Sequence, residues 1–217
     1  MASVGPGDHP VPWAMQIAVL VDKARPASHI ATCEAAARAV VSLLDDPRAT
    51  GGEWREAVEH WRDGRIRKLV RRARGARWTE VHQLPGVTVI QGPAAARAFV
   101  PGPVDPLPRP LAKLQVEGTE LPDDRASDSG DAIVRIGISP LIDMTTGKSA
   151  AQCGHAAQLA YEAMDADTLT HWRTDGFRVR VERITAGAWT ADRGRVQVVD
   201  SGFTELDGPT ETTRAWW

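Results

Sequence analysis

The fold can be predicted from two stretches, QIAVLVD (Gln16 to Asp22) and VRIGISPLID (Val134 to Asp143). Each is a largely apolar run, which is typical of a strand covered by helices on both faces. Each is followed by an alanine-rich segment with helical spacing of its small residues, HIATCEAAARAVVSLL (His29 to Leu44) and KSAAQCGHAAQLAYEAM (Lys148 to Met164). We therefore predict a strand and a close-packed helix in each half of the chain.

Matching segments follow in the same order in both halves, which indicates an internal repeat. HWRDGRIRKLV (His60 to Val70) corresponds to HWRTDGFRVRV (His171 to Val181), ARWT to AWT, and TVIQG with FVPGP to QVVDS with ELDGP. We predict an α/β fold of two tandem copies of a small mixed β-sheet flanked by helices, forming a pseudo-dimer. The tryptophans at the repeated positions are predicted core anchors: Trp61, Trp172 and Trp189.

The composition is that of an ordinary globular chain, with 217 residues of which 42% are hydrophobic and 25% charged. Two cysteines, Cys33 and Cys153, are too few for a disulfide scaffold and suit a reducing compartment. No membrane span or signal peptide is recognisable, so we expect a cytoplasmic protein with no membrane partner. The acidic, turn-rich segment 119–131 divides the chain into a domain at 1–118, a linker, and a domain at 132–217.

Charge is unevenly distributed between these segments. Residues 1–118 carry 16 basic and 12 acidic side chains, a net of +4, whereas residues 132–217 carry nine and eleven, a net of −2. Eight of the basic residues fall in RDGRIRKLVRRARGAR (Arg62 to Arg77). Such a run is either a solvated face or a surface that contacts the phosphates of a polyanion, and the sequence leaves both open.

Two segments of the second half carry candidate chemistry. MTTGKSAAQCGHA (Met144 to Ala156) leaves a strand and enters a helix, with Lys148 in the first helical turn. A cation there is disfavoured by the helix dipole unless an anion uses it, although a solvated lysine is also common. VVDSGFTELDGPTETT (Val198 to Thr213) places Asp200 at a strand end, where it either caps a turn or accepts a proton from water. Neither segment has the spacing of a metal site, and no metal or cofactor is predicted.

Both segments resemble the two signature segments of the archaeal and eukaryotic-type peptidyl-tRNA hydrolase family. The resemblance covers essentially all of residues 132–217 and rests on both segments occurring in the right order. It implies hydrolysis of the ester between a peptide and the 3′ ribose of tRNA, with peptidyl-tRNA as the partner and without a cofactor. The catalytic residues that it implies are Lys148, Asp200, Thr204 and Thr212.

In this interpretation Asp200 orients or deprotonates water, Lys148 with the helix N-terminus stabilises the oxyanion, and the threonines hold water or ester. The first half has Ala27, Gln91 and Ala98 opposite Lys148, Asp200 and Thr204, so we expect it to be catalytically silent and to offer a tRNA platform. The alternative is an inactive tRNA-binding or regulatory protein that keeps the fold. The predicted substrate-binding residues are Thr146, Gly147, Gln152, His155, Arg65, Arg67, Lys68, Arg71 and Arg72.

Overall fold

The computed structural model describes residues 11–64, 66–123, 126–201 and 208–217, so the predictions for Arg65 and Thr204 lie outside the described residues. The first half contains β1 Trp13–Leu20, α1 His29–Leu44, α2 Pro47–Thr50, α3 Arg55–Asp63, β2 Lys68–Ala73, α4 Ala76–Val81, β3 Gly86–Gln91, β4 Ala94–Phe99, β5 Gly102–Pro103 and α5 Arg109–Ala112. The second half contains β6 Val134–Ile138, α6 Thr146–Ala163, α7 Ala166–Thr174, β7 Val179–Arg183, α8 Ala186–Ala191, β8 Val196–Asp200 and β9 Thr210–Trp216.

These elements form two mixed sheets with the same strand arrangement. The first has the order β2-β1-β4-β3, with the short β5 also paired to β1, and the second has the order β7-β6-β9-β8. In each sheet the first two strands of the half run parallel, whereas β4 in the first sheet and β9 in the second run antiparallel to both of their neighbours. The predicted α/β fold with two mixed sheets flanked by helices is therefore confirmed.

In each half a tryptophan ties a helix to the chain that enters the next strand: Trp61 of α3 before β2, and Trp172 of α7 before β7. The Trp61 indole Nε1 donates to the Arg67 carbonyl oxygen at 3.1 Å, and the Trp172 Nε1 donates to the Arg178 carbonyl oxygen at 2.8 Å. Both indoles are completely buried, and Trp189 is 4% exposed, so the three predicted core anchors are confirmed. A buried indole with its N–H satisfied fixes both the packing and the direction of the chain that follows it.

Helices α1 and α6 form a layer between the two sheets. Each helix packs on the sheet of its own half and also reaches the edge strand of the other sheet, α1 against β7 and α6 against β2. Ser28 caps α1 by accepting from the Ala31 N–H, and Thr145 caps α6 by accepting from the Lys148 N–H. Among the helices in the described ranges, none has the length and apolar character needed to cross a membrane.

The two helices approach closely because the residues between them are small. Cys33 and Cys153, which correspond in the repeat, are both fully buried, and their thiols contact each other across the interface. Burial, and then the hydrogen bond with Cys153, raises the pKa of the Cys33 thiol well above its usual range, so it stays protonated. Gly154 follows on α6, where an added Cβ would lie 3.1 Å from Val40 Cγ2 of α1.

A polar contact joins α1 to the other sheet. The Glu34 carboxylate accepts from the Val181 N–H at 3.0 Å, which satisfies an outward-facing amide of the edge strand β7. At the end of α1, Asp45 accepts from the Tyr161 hydroxyl at 3.1 Å and pairs with Arg173 at 2.6 Å. One continuous apolar core contains residues from both halves of the chain.

The predicted linker is packed in its described part rather than loosely suspended. The Pro122 carbonyl oxygen accepts from the His29 N–H at 2.7 Å, and the Thr119 carbonyl oxygen accepts from the Gly147 N–H at 3.2 Å. Residues 119–123 therefore bridge the first turns of α1 and α6. The backbone of this segment supplies hydrogen-bond acceptors to both central helices.

Two details of the repeat alignment are corrected, one by the strand register and one by the pairing of the two helices. Ala98 pairs with Ile17 and Ala215 pairs with Ile136, so Ala98 corresponds to Ala215 and not to Thr204. The connection between β3 and β4 contains only Gly92 and Pro93, which leaves no room for a counterpart of residues 201–209. With Cys33 opposite Cys153, the residue opposite Lys148 is Ser28 rather than Ala27.

Replacing Gly154 by leucine is expected to destabilise the protein by about 1–3 kcal/mol, because the added side chain meets Val40, Lys68 and Ile17 within 4 Å. Chemical denaturation of Gly154→Leu against wild type measures this. Gly187→Leu is the matched control, since Gly187 lies in α8 and its added Cβ meets nothing within 4 Å. Equal stabilities of the two variants would mean that α1 and α6 are not tightly packed at Gly154.

Candidate active site

The candidate site lies at one edge of the second sheet. Strands β6 and β8 both run antiparallel to β9, so they are parallel to each other and their carboxyl ends lie at the same edge. Asp200 ends β8 and Thr212 lies near the start of β9 at this edge, where α6 also begins. Ligands in α/β folds commonly bind beyond the carboxyl ends of strands and near helix N-termini.

Lys148 and Asp200 form an ion pair at this edge. The Lys148 Nζ lies 2.7 Å from Asp200 Oδ2, and the two side chains are only 10% and 15% exposed. The Gln152 Nε2 donates to the same Asp200 oxygen at 2.7 Å. Lys148 and Gln152 are one helical turn apart on α6 and therefore project from the same face toward Asp200. The structure thus brings three of the residues singled out in the sequence into direct contact.

Thr212 contacts this cluster through Gln152. Its hydroxyl lies 2.9 Å from Gln152 Oε1 and 3.2 Å from the Val198 carbonyl oxygen, and Thr212 is completely buried. A hydroxyl has one proton to donate. The expectation that Thr212 itself holds water or ester is corrected: its hydroxyl is enclosed by the protein and orients the Gln152 amide, which in turn donates to Asp200.

Thr213 was not singled out in the sequence, but it contributes a further support. Its hydroxyl donates to the Gln152 backbone carbonyl oxygen at 3.1 Å, which ties α6 to β9 beside the ion pair. Such a contact between a strand and the middle of a helix has no sequence signature, because it depends on how the helix lies on the sheet. Thr212 and Thr213 therefore fix both the amide and the backbone of Gln152.

Thr146 and Gly147 are not positioned to touch a substrate, which corrects the expectation for both. Both are buried, and the Thr146 hydroxyl oxygen accepts from the Leu121 N–H at 3.0 Å and lies 3.1 Å from His29 Nδ1. The Gly147 N–H donates to Thr119. These contacts fasten the start of α6 to the connecting segment and to α1, a structural role that the sequence did not reveal.

The amide groups of the α6 first turn are engaged inside the protein. The Gly147 N–H donates to the Thr119 carbonyl oxygen, and the Lys148 N–H donates to the Thr145 hydroxyl at 3.1 Å. The backbone donors that would otherwise assist an oxyanion are therefore already used at these two residues. In this geometry the group that Lys148 brings to the site is its side-chain ammonium.

His155 lies two turns further along α6, beside a buried lysine. Lys68 is 6% exposed, and its Nζ lies 3.3 Å from His155 Nδ1 and donates to Gln158 Oε1. Burial lowers the pKa of Lys68 well below its usual range. Burial, followed by the positive charges of Lys68 and Lys148, lowers the pKa of His155 well below its usual range. His155 is therefore a neutral group between two lysines.

The basic block does not form a uniformly exposed surface. The prediction that Lys68 and Arg71 bind phosphate is wrong, because both side chains are buried. Arg71 is 7% exposed; its Nε donates to Gln16 Oε1 at 2.8 Å and its Nη1 to the Leu114 carbonyl oxygen at 3.1 Å. Arg67 and Arg72 are partly exposed. The strand therefore uses some of its charges for internal contacts and presents the others to solvent.

The corresponding place in the first half has different chemistry. Gln91 ends β3 as Asp200 ends β8; its Nε2 donates to Glu34, and its Oε1 accepts from Arg38 Nη1 at 3.0 Å. The connecting segment enters this place, where the Ser127 hydroxyl donates to Glu34. Burial raises the pKa of Glu34, although hydrogen bonds from Ser127, Val181 and Gln91 oppose the shift.

Comparisons of the chain with models of known families, with curated proteins and with solved structures each gave no significant match. Within the described ranges, no three histidine, cysteine, aspartate or glutamate side chains are grouped so that they could hold a metal ion. The chemistry of the site therefore has to be argued from the Lys148, Asp200 and Gln152 cluster itself.

Replacing Thr212 by valine is expected to lower the free energy of unfolding by about 1–3 kcal/mol, because the buried Gln152 Oε1 loses its donor. Denaturant titration measures the change. Thr210→Val, in the same strand, is the matched control, since its partly buried hydroxyl donates to the nearby Gly208 carbonyl oxygen and not to Gln152. If Thr212→Val were as stable as Thr210→Val, the Thr212 to Gln152 contact would not be part of the folded state.

The low pKa of His155 gives a pH prediction. Below the usual histidine pKa the unfolded chain binds a proton at this position that the folded chain does not, so this contribution to stability is lost as the pH falls from 7.5 toward the folded pKa. We expect His155→Gln to lose less stability than wild type between pH 7.5 and pH 5.5, measured by denaturant titration. The exposed His171→Gln serves as the control, and an unchanged pH dependence in His155→Gln would contradict a depressed pKa.

Proposed function

We propose that the chain is a peptidyl-tRNA hydrolase that cleaves the ester between a peptide, or an N-blocked amino acid, and the 3′ end of tRNA. The observation that carries the proposal is the contact of Lys148 with Asp200 at 2.7 Å, braced by Gln152, at the carboxyl edge of a sheet. These residues lie in the two segments that resemble the family signatures. The resemblance implies a reaction that needs no metal or cofactor.

The cluster suits hydrolysis of an ester. Asp200 lies beside the Lys148 cation and accepts from Gln152, both of which favour its charged, proton-accepting form. In the proposed reaction Asp200 takes a proton from water while the water oxygen attacks the ester carbonyl carbon. The Lys148 ammonium stabilises the oxyanion that forms, and the bond to the ribose 3′ oxygen then breaks, with that oxygen receiving the proton that Asp200 took from water.

The remaining residues have supporting roles in this proposal. Thr212 and Gln152 are positioning residues that hold Asp200, and the neutral His155 limits the positive charge around Lys148. Thr204 lies outside the described residues. Its proposed role, to hold water or ester, is the one that the resemblance implies. The first half, with Gln91 where the second has Asp200, is catalytically silent in this proposal. In this proposal the protein is monomeric and cytoplasmic, and its two halves act as a fused pseudo-dimer. The first domain is 1–118, the linker is 119–131, and the catalytic domain is 132–217.

Asp200→Asn is expected to lower kcat for release of the N-acetyl-aminoacyl group from N-acetyl-aminoacyl-tRNA by roughly 10²–10⁴-fold, because an amide cannot accept the proton from water. Lys148→Met is expected to lower it by roughly 10²–10³-fold through loss of oxyanion stabilisation. The measurement is the amount of N-acetyl amino acid released with time at saturating substrate.

Two controls accompany these variants. Asp167→Asn makes the same change at an exposed position on α7 and should leave kcat unchanged. Gln91→Ala changes the equivalent position of the first half and should also leave kcat unchanged at a temperature where it is folded. Wild-type protein that binds tRNA but releases no amino acid would overturn the proposal in favour of an inactive RNA-binding protein.

A further inference from the structure

A cleft of about 300 Å³ lies outside the candidate active site, where strand β2 ends and helix α4 begins. Its lining residues are Arg72, Arg74, Ala76, Arg77 and Gln115. Three of these five carry a guanidinium group and none carries an acid. Three exposed or partly exposed arginines of the basic block therefore line one concave place.

Neutral groups hold two of the three arginines in place. The Arg72 Nε donates to Gln115 Oε1 at 2.8 Å and its Nη1 to the Gly118 carbonyl oxygen at 2.8 Å. The Arg77 Nη1 donates to the Lys113 carbonyl oxygen at 2.5 Å. Amide and carbonyl oxygens orient a guanidinium without cancelling its charge. The nearby acid Glu80 is already paired with Lys113 at 2.7 Å, so the cleft keeps a net positive charge.

This arrangement fits a phosphodiester. Guanidinium groups bind phosphate oxygens through paired hydrogen bonds, and a group whose orientation is already fixed loses less entropy on binding. Several cations without counter-charges gain affinity for nucleic acid by releasing its condensed counterions. A concave site, unlike a flat strand face, also restricts where the backbone can lie.

The cleft is linked directly to the start of the helix that carries Lys148. Gly118 accepts from Arg72, and the next residue, Thr119, accepts from the Gly147 N–H in the first turn of α6. Thr119 follows Gln115 by four positions, a length of chain that spans at most about 14 Å. The cleft therefore lies near the first turn of α6, which is the turn that carries Lys148.

We propose that the cleft of Arg72, Arg74 and Arg77 binds the phosphodiester backbone of the tRNA near its esterified 3′ end. This inference deepens the proposed function and rests on it for the identity of the RNA. The half of the chain without the Lys–Asp pair thereby supplies a substrate-binding site to the other half. Lys68 and Arg71 of the same strand are buried and take no part in it.

The test uses Arg74→Ala/Arg77→Ala, which removes two cleft charges and keeps the Arg72 contacts to Gln115 and Gly118. We expect the slope of log affinity for tRNA against log salt concentration to become shallower by roughly 1.5, with weaker binding at low salt. Arg25→Ala/Arg193→Ala is the matched control, because it removes two exposed arginines, one from each half. Its salt slope should stay close to that of wild type.

Hydrolysis distinguishes this inference from the proposed function. We expect the cleft variant to raise KM for N-acetyl-aminoacyl-tRNA roughly tenfold and to leave hydrolysis of N-acetyl-aminoacyl-adenosine, which has no phosphate, unchanged. A cleft variant with the wild-type salt slope would overturn the cleft as a phosphate site. A wild type that hydrolyses neither ester would overturn the hydrolase, while the salt slopes would still decide whether the cleft binds RNA.

Discussion

Helices α1 and α6 approach each other through alanine, glycine and cysteine residues, and the other contacts between the halves depend on this approach. Because Gly154 has no side chain, α6 lies against Val40 of α1 and reaches the edge strand of the first sheet. The same placement sets where Lys148 and Gln152 project, and hence their distances to Asp200 at the end of β8. Packing between small residues in the middle of the molecule thus determines the polar geometry at its edge.

Much of this architecture could be predicted because apolar patterning and helix caps are local properties. The predicted helix His29 to Leu44 has those bounds in the structure, where Ser28 caps it, and the strands follow the apolar or alternating runs. The alignment failed between the last two strands, where alanines of β4 replace threonines of β9 and a two-residue turn replaces a longer connection. The register signal there is short: Arg97 to Phe99 and Arg214 to Trp216 share an arginine, an alanine and an aromatic residue, and the hydrogen-bonded pairing identifies Ala98 with Ala215.

The candidate site could be predicted in part for the same reason. Lys148 and Asp200 stand out as charged residues at a helix start and a strand end, and the structure places them in contact. Burial could not be predicted, because it depends on segments distant in the sequence. Arg71 lies on one face of β2, covered by the turn at Leu114, whereas Lys68 lies beneath α6. Thr146 and Gly147 are covered by the segment that was expected to be only a linker.

The path of that segment makes the two halves unequal for a purely topological reason. A symmetric pair of such units has two equivalent places at the ends of its third strands, one in each half. A chain that joins the units has a single connection, and here its residues Ala126, Ser127 and Asp128 run beside Glu34 and Gln91 of the first half. Identical separate subunits have no such connection and cannot be distinguished in this way. Joining the units end to end therefore brings the connecting segment to one of two equivalent places, so that Gln91 and Asp200 have different surroundings.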